Sequence, residues 1–260
     1  MSPEPQTGPA NRIANDLRQA ISDGRLQPGA KLPTVRDLAV EYGVSRNTAA
    51  KAIAQLSNEG AIITRYGSGA YVREAHPVRR VGQDRYAKSK WANSTVEVYR
   101  DERHEGQPAE QQGTQTQEVA LLDADERVAR ALGVPVGTQV YERDRIMFRD
   151  GKPTHSVTSY YRREDVEGTA IIDPRPGMAG AGGSFAIFTE LGLAPDEMTE
   201  DLFARMPTVE EMVSLDLPPG EPVVEQWRTT RTADGRVIEY ARGVHPASRF
   251  VWSYTFKIPD

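Results

Sequence analysis

Two short stretches hold the side chains best suited to chemistry. Residues 45–48 read Ser-Arg-Asn-Thr, and Lys51 follows one helical turn later. Arg46 can make two hydrogen bonds to a guanine edge and Asn47 two to an adenine, while Lys51 suits a phosphate. Residues 143–145 read Arg-Asp-Arg. On a strand, residues i and i+2 share a face, so Arg143 and Arg145 stand side by side, as a phosphate or carboxylate requires. Ser184 follows the run AGAGG at an expected helix start, where free backbone N–H groups attract anions. Glu239 and His245, on the last hairpin, are suited to binding hydroxyls. The first set reads nucleic acid; the second holds a small anion.

Neither set is a catalytic constellation. The four histidines, at 76, 104, 155 and 245, have no metal-ligand spacing, and the chain has no cysteine, so neither a metal nor a disulfide is expected. G-x-S-x-G, P-loop and G-x-G-x-x-G motifs are absent, and AGAGGS lacks a β-α-β setting. The expectation is therefore no enzyme and no cofactor. Two alternatives are retained: a second domain that only dimerises, and a lyase or hydrolase using His155 and Glu239 as an acid/base pair.

The elements that position the first set are short helices. Ile13, Leu17 and Ile21 form one apolar stripe, with Asn11 as the expected cap and Gly24 after its end. Thr34 and Asp37 form a near capping box for a second helix, in which Val35 and Leu38 face inward. Gly43 ends that helix, and Ser45 caps a third, whose buried stripe is Ala49, Ala52, Ile53 and Leu56. Asn47, Ala50, Lys51, Ala54 and Asn58 then fall on its outer face. This is a helix-turn-helix. The run AIITRYGSGAYV adds a hairpin around Gly67-Ser68-Gly69, a wing from which Arg65 and Tyr66 reach toward phosphate or the minor groove.

The second set rests on an internal repeat. Leu132, Pro135, Gly137, Val140, Glu142 and Arg145 recur 83 residues later as Leu215, Pro218, Gly220, Val223, Glu225 and Arg228. Asp150-Gly151 then matches Asp234-Gly235 after a one-residue insertion, placing His155 and Glu239 at equivalent points. Each unit reads as the end of a helix, a Pro/Gly turn, a strand, an Asp-Gly turn and a returning strand. ADERVARAL and TVEEMVSL are the preceding helices, the latter with the capping box Thr208 and Glu211. SFAIFTEL is a further helix from Ser184, and FVWSYTFKI a final strand. The fold class is α+β: an antiparallel sheet of two related hairpins with helices on it, leaving a cleft that suits a small molecule.

The expected organisation is a disordered tail over 1–10, a winged helix-turn-helix over 11–75, a linker over 76–95 and an effector-binding, dimerising domain over 96–260. Residues 1–75 hold 9 Lys and Arg against 7 Asp and Glu, net +2, and the remainder 23 against 30, net -7. A basic first part suits an anionic partner. The run MSPEPQTGPA lacks a secretory signal pattern and no apolar run of about 18 residues occurs, so a cytoplasmic protein without a membrane partner is expected.

The run LQPGAKLPTVRDLAVEYGVSRNTAAKAIAQLSNEGAIITRYGSGAYV resembles the DNA-binding domain of GntR-type bacterial repressors, over residues 11–73 and in the family's order and spacing. The resemblance implies DNA contacts from Arg36 on the second helix, from Arg46 and Thr48 on the third, and from Gly67 in the wing. Ala50 stands where the family commonly has arginine. Residues 80–257 resemble the UTRA effector domain of the HutC branch, through LGVPVGT, RDR, LPPGEPV, DGRVIEY and the aromatic last strand. This implies a chorismate-lyase-like fold without lyase activity and effector contacts at Arg143, Arg145, Ser184 and Glu239. Val157 and His245 stand where members often have glutamate and tyrosine. The expected function is a sequence-specific regulator in the bacterial nucleoid, a homodimer on a pseudo-palindromic operator, acting as a repressor under the control of a small anionic effector.

Overall fold

The computed structural model describes residues 8–65, 67–73, 78–81, 86–88, 114–149, 151–179 and 183–258. The chain divides into two compact units, Met1–Ala75 with Leu217–Glu221, and the remainder.

In the first unit, helix α1 spans Pro9–Ser22. It starts earlier than the Asn11 cap expected from sequence. Gly8 holds the cap position and Pro9 the first helical one, where its fixed φ and missing N–H cost nothing. Helix α2, Val35–Glu41, has the complete capping box: Asp37 N–H donates to Thr34 Oγ1 at 3.2 Å, and Asp37 Oδ2 accepts from Thr34 N–H at 3.2 Å. Gly43 takes a φ of +62°, which lets the chain reverse into α3, Arg46–Asn58. Ala49, Ala52, Ile53 and Leu56 are its buried residues, the stripe the spacing predicts. They meet Ile13, Leu17 and Leu38 in one core closed by Ile62 and Val72 of the wing. The wing pairs β1, Ile62–Arg65, with β2, Gly69–Val72, antiparallel.

In the second unit, six antiparallel strands lie in the order β4-β5-β6-β9-β8-β7. They are β4, Thr114–Asp123; β5, Gln139–Arg149; β6, Lys152–Arg162; β7, Glu197–Arg205; β8, Val223–Arg231; and β9, Val237–Pro246. The repeat is visible in the order itself, since β4-β5-β6 and β7-β8-β9 are mirrored about the β6–β9 seam. It also reaches further upstream than the sequence pattern suggests. β4 and β7 begin 83 residues apart, and so do Asp125 and Thr208, the N-caps of α4, Glu126–Leu132, and of α7, Val209–Ser214. Leu132 and Leu215 are both fully buried, as are Val140 and Val223.

The two sheet faces differ. One packs Val128, Leu132, Val140, Trp227 and Tyr240 into a core under α4. It also carries a closed ion network in which Arg205 and Arg242 each bond both Glu211 and Glu225, at 2.5 to 3.0 Å. Over the other face, Tyr161 packs with Val166 of α5, Arg163–Val166, Ile171 of a 3-10 turn, and Phe188 of α6, Gly183–Glu190.

Two further expectations change. The stretch read as a linker includes β3, Val78–Val81, which pairs parallel with β10, Phe250–Ser253. The final strand is therefore four residues long and stands apart from the main sheet, and residues 254–258 have no regular structure. A parallel pairing brings in a partner distant in sequence, which no local pattern announces.

Candidate functional site

Helix α3 presents two chemically opposite faces. Its apolar stripe is buried, while Arg46, Asn47, Ala50, Lys51 and Ala54 are exposed and Thr48 is half-buried. Ser45 Oγ accepts from the Thr48 N–H at 3.1 Å and lies 2.9 Å from Thr48 Oγ1, so these two polar residues fix the helix start. The first turn, with Arg46 and Asn47, thus projects into solvent on a capped end. Arg36 is exposed on α2. At the wing, Arg65 ends β1 opposite Gly69, and Gly67 is exposed with a φ of +71° and nothing within 4 Å of where a Cβ would stand. Tyr66 lies outside the described residues. Three exposed cations on two adjoining helices, with small residues at 50 and 54 that let a backbone approach, form a surface shaped for a polyanion groove.

The strand arginines face inward. Register places Arg143 opposite Ser159 and Arg145 opposite Val157, while Glu142 and Asp144 project from the other face. Asp144 is taken up there by the Thr158 hydroxyl at 2.6 Å. Ion pairing of the two arginines with their strand neighbours is thus excluded by the pleat. Arg143 and Arg145 are both buried. Arg143 donates through Nε and Nη2 to Gln117 Oε1 at 3.0 and 2.7 Å, and Arg145 Nη2 donates to Ser159 Oγ at 2.9 Å.

Glu239 joins the same face from β9. It accepts from Tyr161 Oη at 2.9 Å, from Arg228 Nη2 at 2.7 Å and from Thr230 Oγ1 at 3.4 Å. Burial pushes the Glu239 carboxyl up, but the Arg228 and Arg145 charges outweigh it and hold it below its ordinary value. Burial also acts against the charged form of Arg228, and Glu239 more than offsets it. Burial pushes the Tyr161 hydroxyl up, with the Glu239 charge adding to the effect, so Tyr161 stays a neutral donor. Arg228 and Glu239 therefore balance each other. Arg145 Nε is buried without a hydrogen-bond partner among the described residues. A buried arginine donor left over beside a second arginine is the arrangement an incoming carboxylate or phosphate completes.

Ser184 is the second residue of α6, half-buried, and the next residue, Phe185, has its ring 5.6 Å from the Arg228 guanidinium. Part of the glycine run before it, residues 180–182, lies outside the described residues. A small cleft beside Phe185 is lined by Tyr86, Lys88, Pro195, Asp196, Glu197, Met198 and Thr230, and Arg143, Arg145, Ser184 and Glu239 are not among its lining residues.

His245 does not join this group. It lies six residues from Glu239 along β9, about 20 Å at strand rise. There it stacks on His155 with ring centroids 4.8 Å apart, meets the edges of Phe250 and Trp252, and lies 3.2 Å from Gln226 Oε1. Its ring folds back over Gly243, where a Cβ would come 2.6 Å from His245 Nε2. His155 is in that aromatic box too, so it and Glu239 are separated rather than paired. Sequence equivalence put them at matching points of two halves, and matching points of a pseudo-symmetric sheet lie on opposite sides of its midline. Missed from sequence were Gln117, Ser159, Tyr161 and Arg228, which hold the cluster together. Arg228 alone carried a signal, as the repeat mate of Arg145.

Comparison with known proteins places both halves. The model of bacterial regulatory proteins of the gntR family matches residues 9–72, and the UTRA domain model matches residues 110–251. An HTH-type transcriptional regulator of Streptomyces coelicolor is 44% identical over 95% of this chain and 92% of its own. The mannosyl-D-glycerate transport/metabolism system repressor MngR of Escherichia coli is 25% identical over 89% of this chain and 88% of its own. A crystal structure of a GntR-family transcriptional regulator superposes with a TM-score of 0.67 at 29% identity, covering 98% of this chain and 99% of that one. PhnF from Mycobacterium smegmatis shares the fold, with a TM-score of 0.55 at 19% identity over 95% of this chain and 100% of that one.

Proposed function

The chain belongs to the GntR family of DNA-binding bacterial transcriptional regulators with a UTRA effector domain, and on that premise we propose how its residues divide the work. Arg46 and Asn47 read base edges from the first turn of α3, with Ser45 and Thr48 at the same end. Lys51, Arg36 and the wing residues Arg65, Tyr66 and Gly67 engage phosphates or the minor groove. The observation that carries this is the sidedness of α3, whose apolar stripe is buried and whose polar start is exposed on a capped end. The protein acts in the cytoplasm as a homodimer on a pseudo-palindromic operator, since two-fold protein symmetry is matched by two-fold DNA symmetry.

Its action is repression, the role in the name of the relative MngR. Arg143 and Arg145, with Ser184 and Glu239 beside them, hold a small anionic effector, which shifts the population between operator-competent and incompetent states. Support comes from the buried Nε donors of Arg145 and Arg228, neither with a hydrogen-bond partner among the described residues, on the face that also carries Arg143. Selection from a random DNA pool by the full chain tests the first half. Convergence on an inverted repeat is expected, whereas enrichment by salt-sensitive affinity alone, without a shared sequence, contradicts it.

A further inference from the structure

The wing has a third edge that comes from a distant part of the chain. Residues 29–32 lie between α1 and α2 in sequence, yet their backbone runs antiparallel along β2. The Gly29 N–H donates to Val72 O at 3.0 Å, the Val72 N–H to Ala30 O at 2.8 Å and the Leu32 N–H to Ala70 O at 2.8 Å. Lys31 stands opposite Tyr71 in this ladder. Side chains alternate across a sheet, so Leu32 and Val72 turn into the core, where both are buried, and Lys31 shares the outer face of the wing with Tyr71. Lys31 is exposed, and among the described residues it has no acidic partner.

The lysine stem lies along the wing toward its turn. A Cβ at Gly69 would come 3.1 Å from Lys31 Cε and 3.9 Å from Nζ. Glycine at 69, with a φ of +115°, leaves the room this stem occupies. Lys31 Nζ lies 5.8 Å from the centre of the Tyr71 ring, and Tyr71 Oη lies 2.6 Å from Ser68 Oγ in the turn. The ammonium is thus seated within two residues of the exposed tip at Gly67, on backbone that the sheet holds rigid. A positioned cation without a carboxylate is charge kept for an outside anion. We propose that Lys31 is a phosphate contact of the wing: as the tip at Gly67 enters the minor groove, Lys31 donates to a backbone phosphate on its flank. This rests on the DNA-binding reading and adds to it a cation from outside both the helix-turn-helix and the hairpin. The seat beside Tyr71 orients the side chain before DNA arrives, so less rotamer freedom is lost on binding. The contact carries no base preference and fixes the register of the wing on the duplex.

Fluorescence anisotropy with the full chain tests this, using wild type, Lys31→Met and Lys31→Arg on two probes: a duplex enriched from the random pool and a scrambled duplex of the same length. Methionine keeps an unbranched stem beside Tyr71 and removes the charge, while arginine keeps the charge. In Lys31→Met the slope of log affinity against log salt is expected to be shallower by about one, with the same fold-loss of affinity on both probes. Lys31→Arg is expected to keep the wild-type slope. Thermal midpoints of the three proteins are expected to agree, because the side chain is exposed. An unchanged slope in Lys31→Met overturns the contact, whether or not affinity falls. A loss confined to the enriched duplex overturns the phosphate assignment and makes Lys31 a reader of bases. Wild-type binding that ignores salt on both probes overturns the DNA-binding reading itself.

Discussion

Tyr161 and Glu239 meet across the midline of the sheet. Tyr161 closes the first hairpin on β6, Glu239 opens the return of the second on β9, and the phenolic hydroxyl donates to the carboxylate at 2.9 Å. Both side chains are fully buried. The bond thus ties the two repeat halves at the point where their arginines, Arg145 and Arg228, come nearest to sharing one acid.

Tyr161→Phe leaves the ring packed against Phe188 and removes only the donor. Glu239 then keeps Arg228 and Thr230 but loses one bond to its charge. A loss of about 2 kcal/mol in the stability of the second unit is expected, measured by urea unfolding followed through tryptophan fluorescence.

Ser45→Ala removes the side-chain acceptor for the Thr48 N–H at the start of α3. About 1 kcal/mol of stability is expected to be lost from the DNA-binding unit, seen as a lower thermal midpoint of its helical signal. Operator affinity is expected to fall with it, because the frayed turn is the one that carries Arg46 and Asn47.

Ala50→Arg places a cation on the exposed face of α3. It buries nothing, so stability stays unchanged. A new phosphate contact is expected to steepen the dependence of log affinity on log salt by about one.

The ion network on the opposite sheet face makes stability depend on acid. Burial alone raises the Glu211 carboxyl, but hydrogen bonds from Arg205, the Thr208 backbone and Arg242 outweigh it and hold its pKa at about 2. Glu225 is lowered by the same two arginines against its own burial. Both folded values lie below the ordinary carboxylate value, so their contribution is fully present above about pH 4.5 and is lost as pH falls toward 2. The urea midpoint is expected to drop through that window in wild type. Glu211→Gln is expected to be less stable at pH 7 and to show a shallower drop.

How much of this was legible in the sequence depends on how local the cause is. The α3 stripe, the Thr34–Asp37 and Thr208–Glu211 boxes and the Gly43 turn are set by neighbours within four residues, and periodicity and capping chemistry reveal them. The repeat gave the hairpins because Asp-Gly turns and strand alternation recur at one offset. Which residues meet across strands depends on register, which a single strand does not encode. Gln117, Ser159 and Tyr161 were therefore silent, and His245 was grouped with Glu239 although a strand length separates them. The β3–β10 pairing was hidden for the same reason, with its two strands about 170 residues apart in the chain.

The central claim is that the exposed start of α3 reads bases. Fluorescence anisotropy on the DNA upstream of the protein's own gene, at fixed salt, compares wild type with Arg46→Ala. The account predicts tight, sequence-selective binding by wild type and a loss of about 1–3 kcal/mol in the variant, with little change on random DNA. Equal binding of the two proteins to that DNA, with wild type preferring it to random sequence, would contradict the assignment of Arg46 as a base reader.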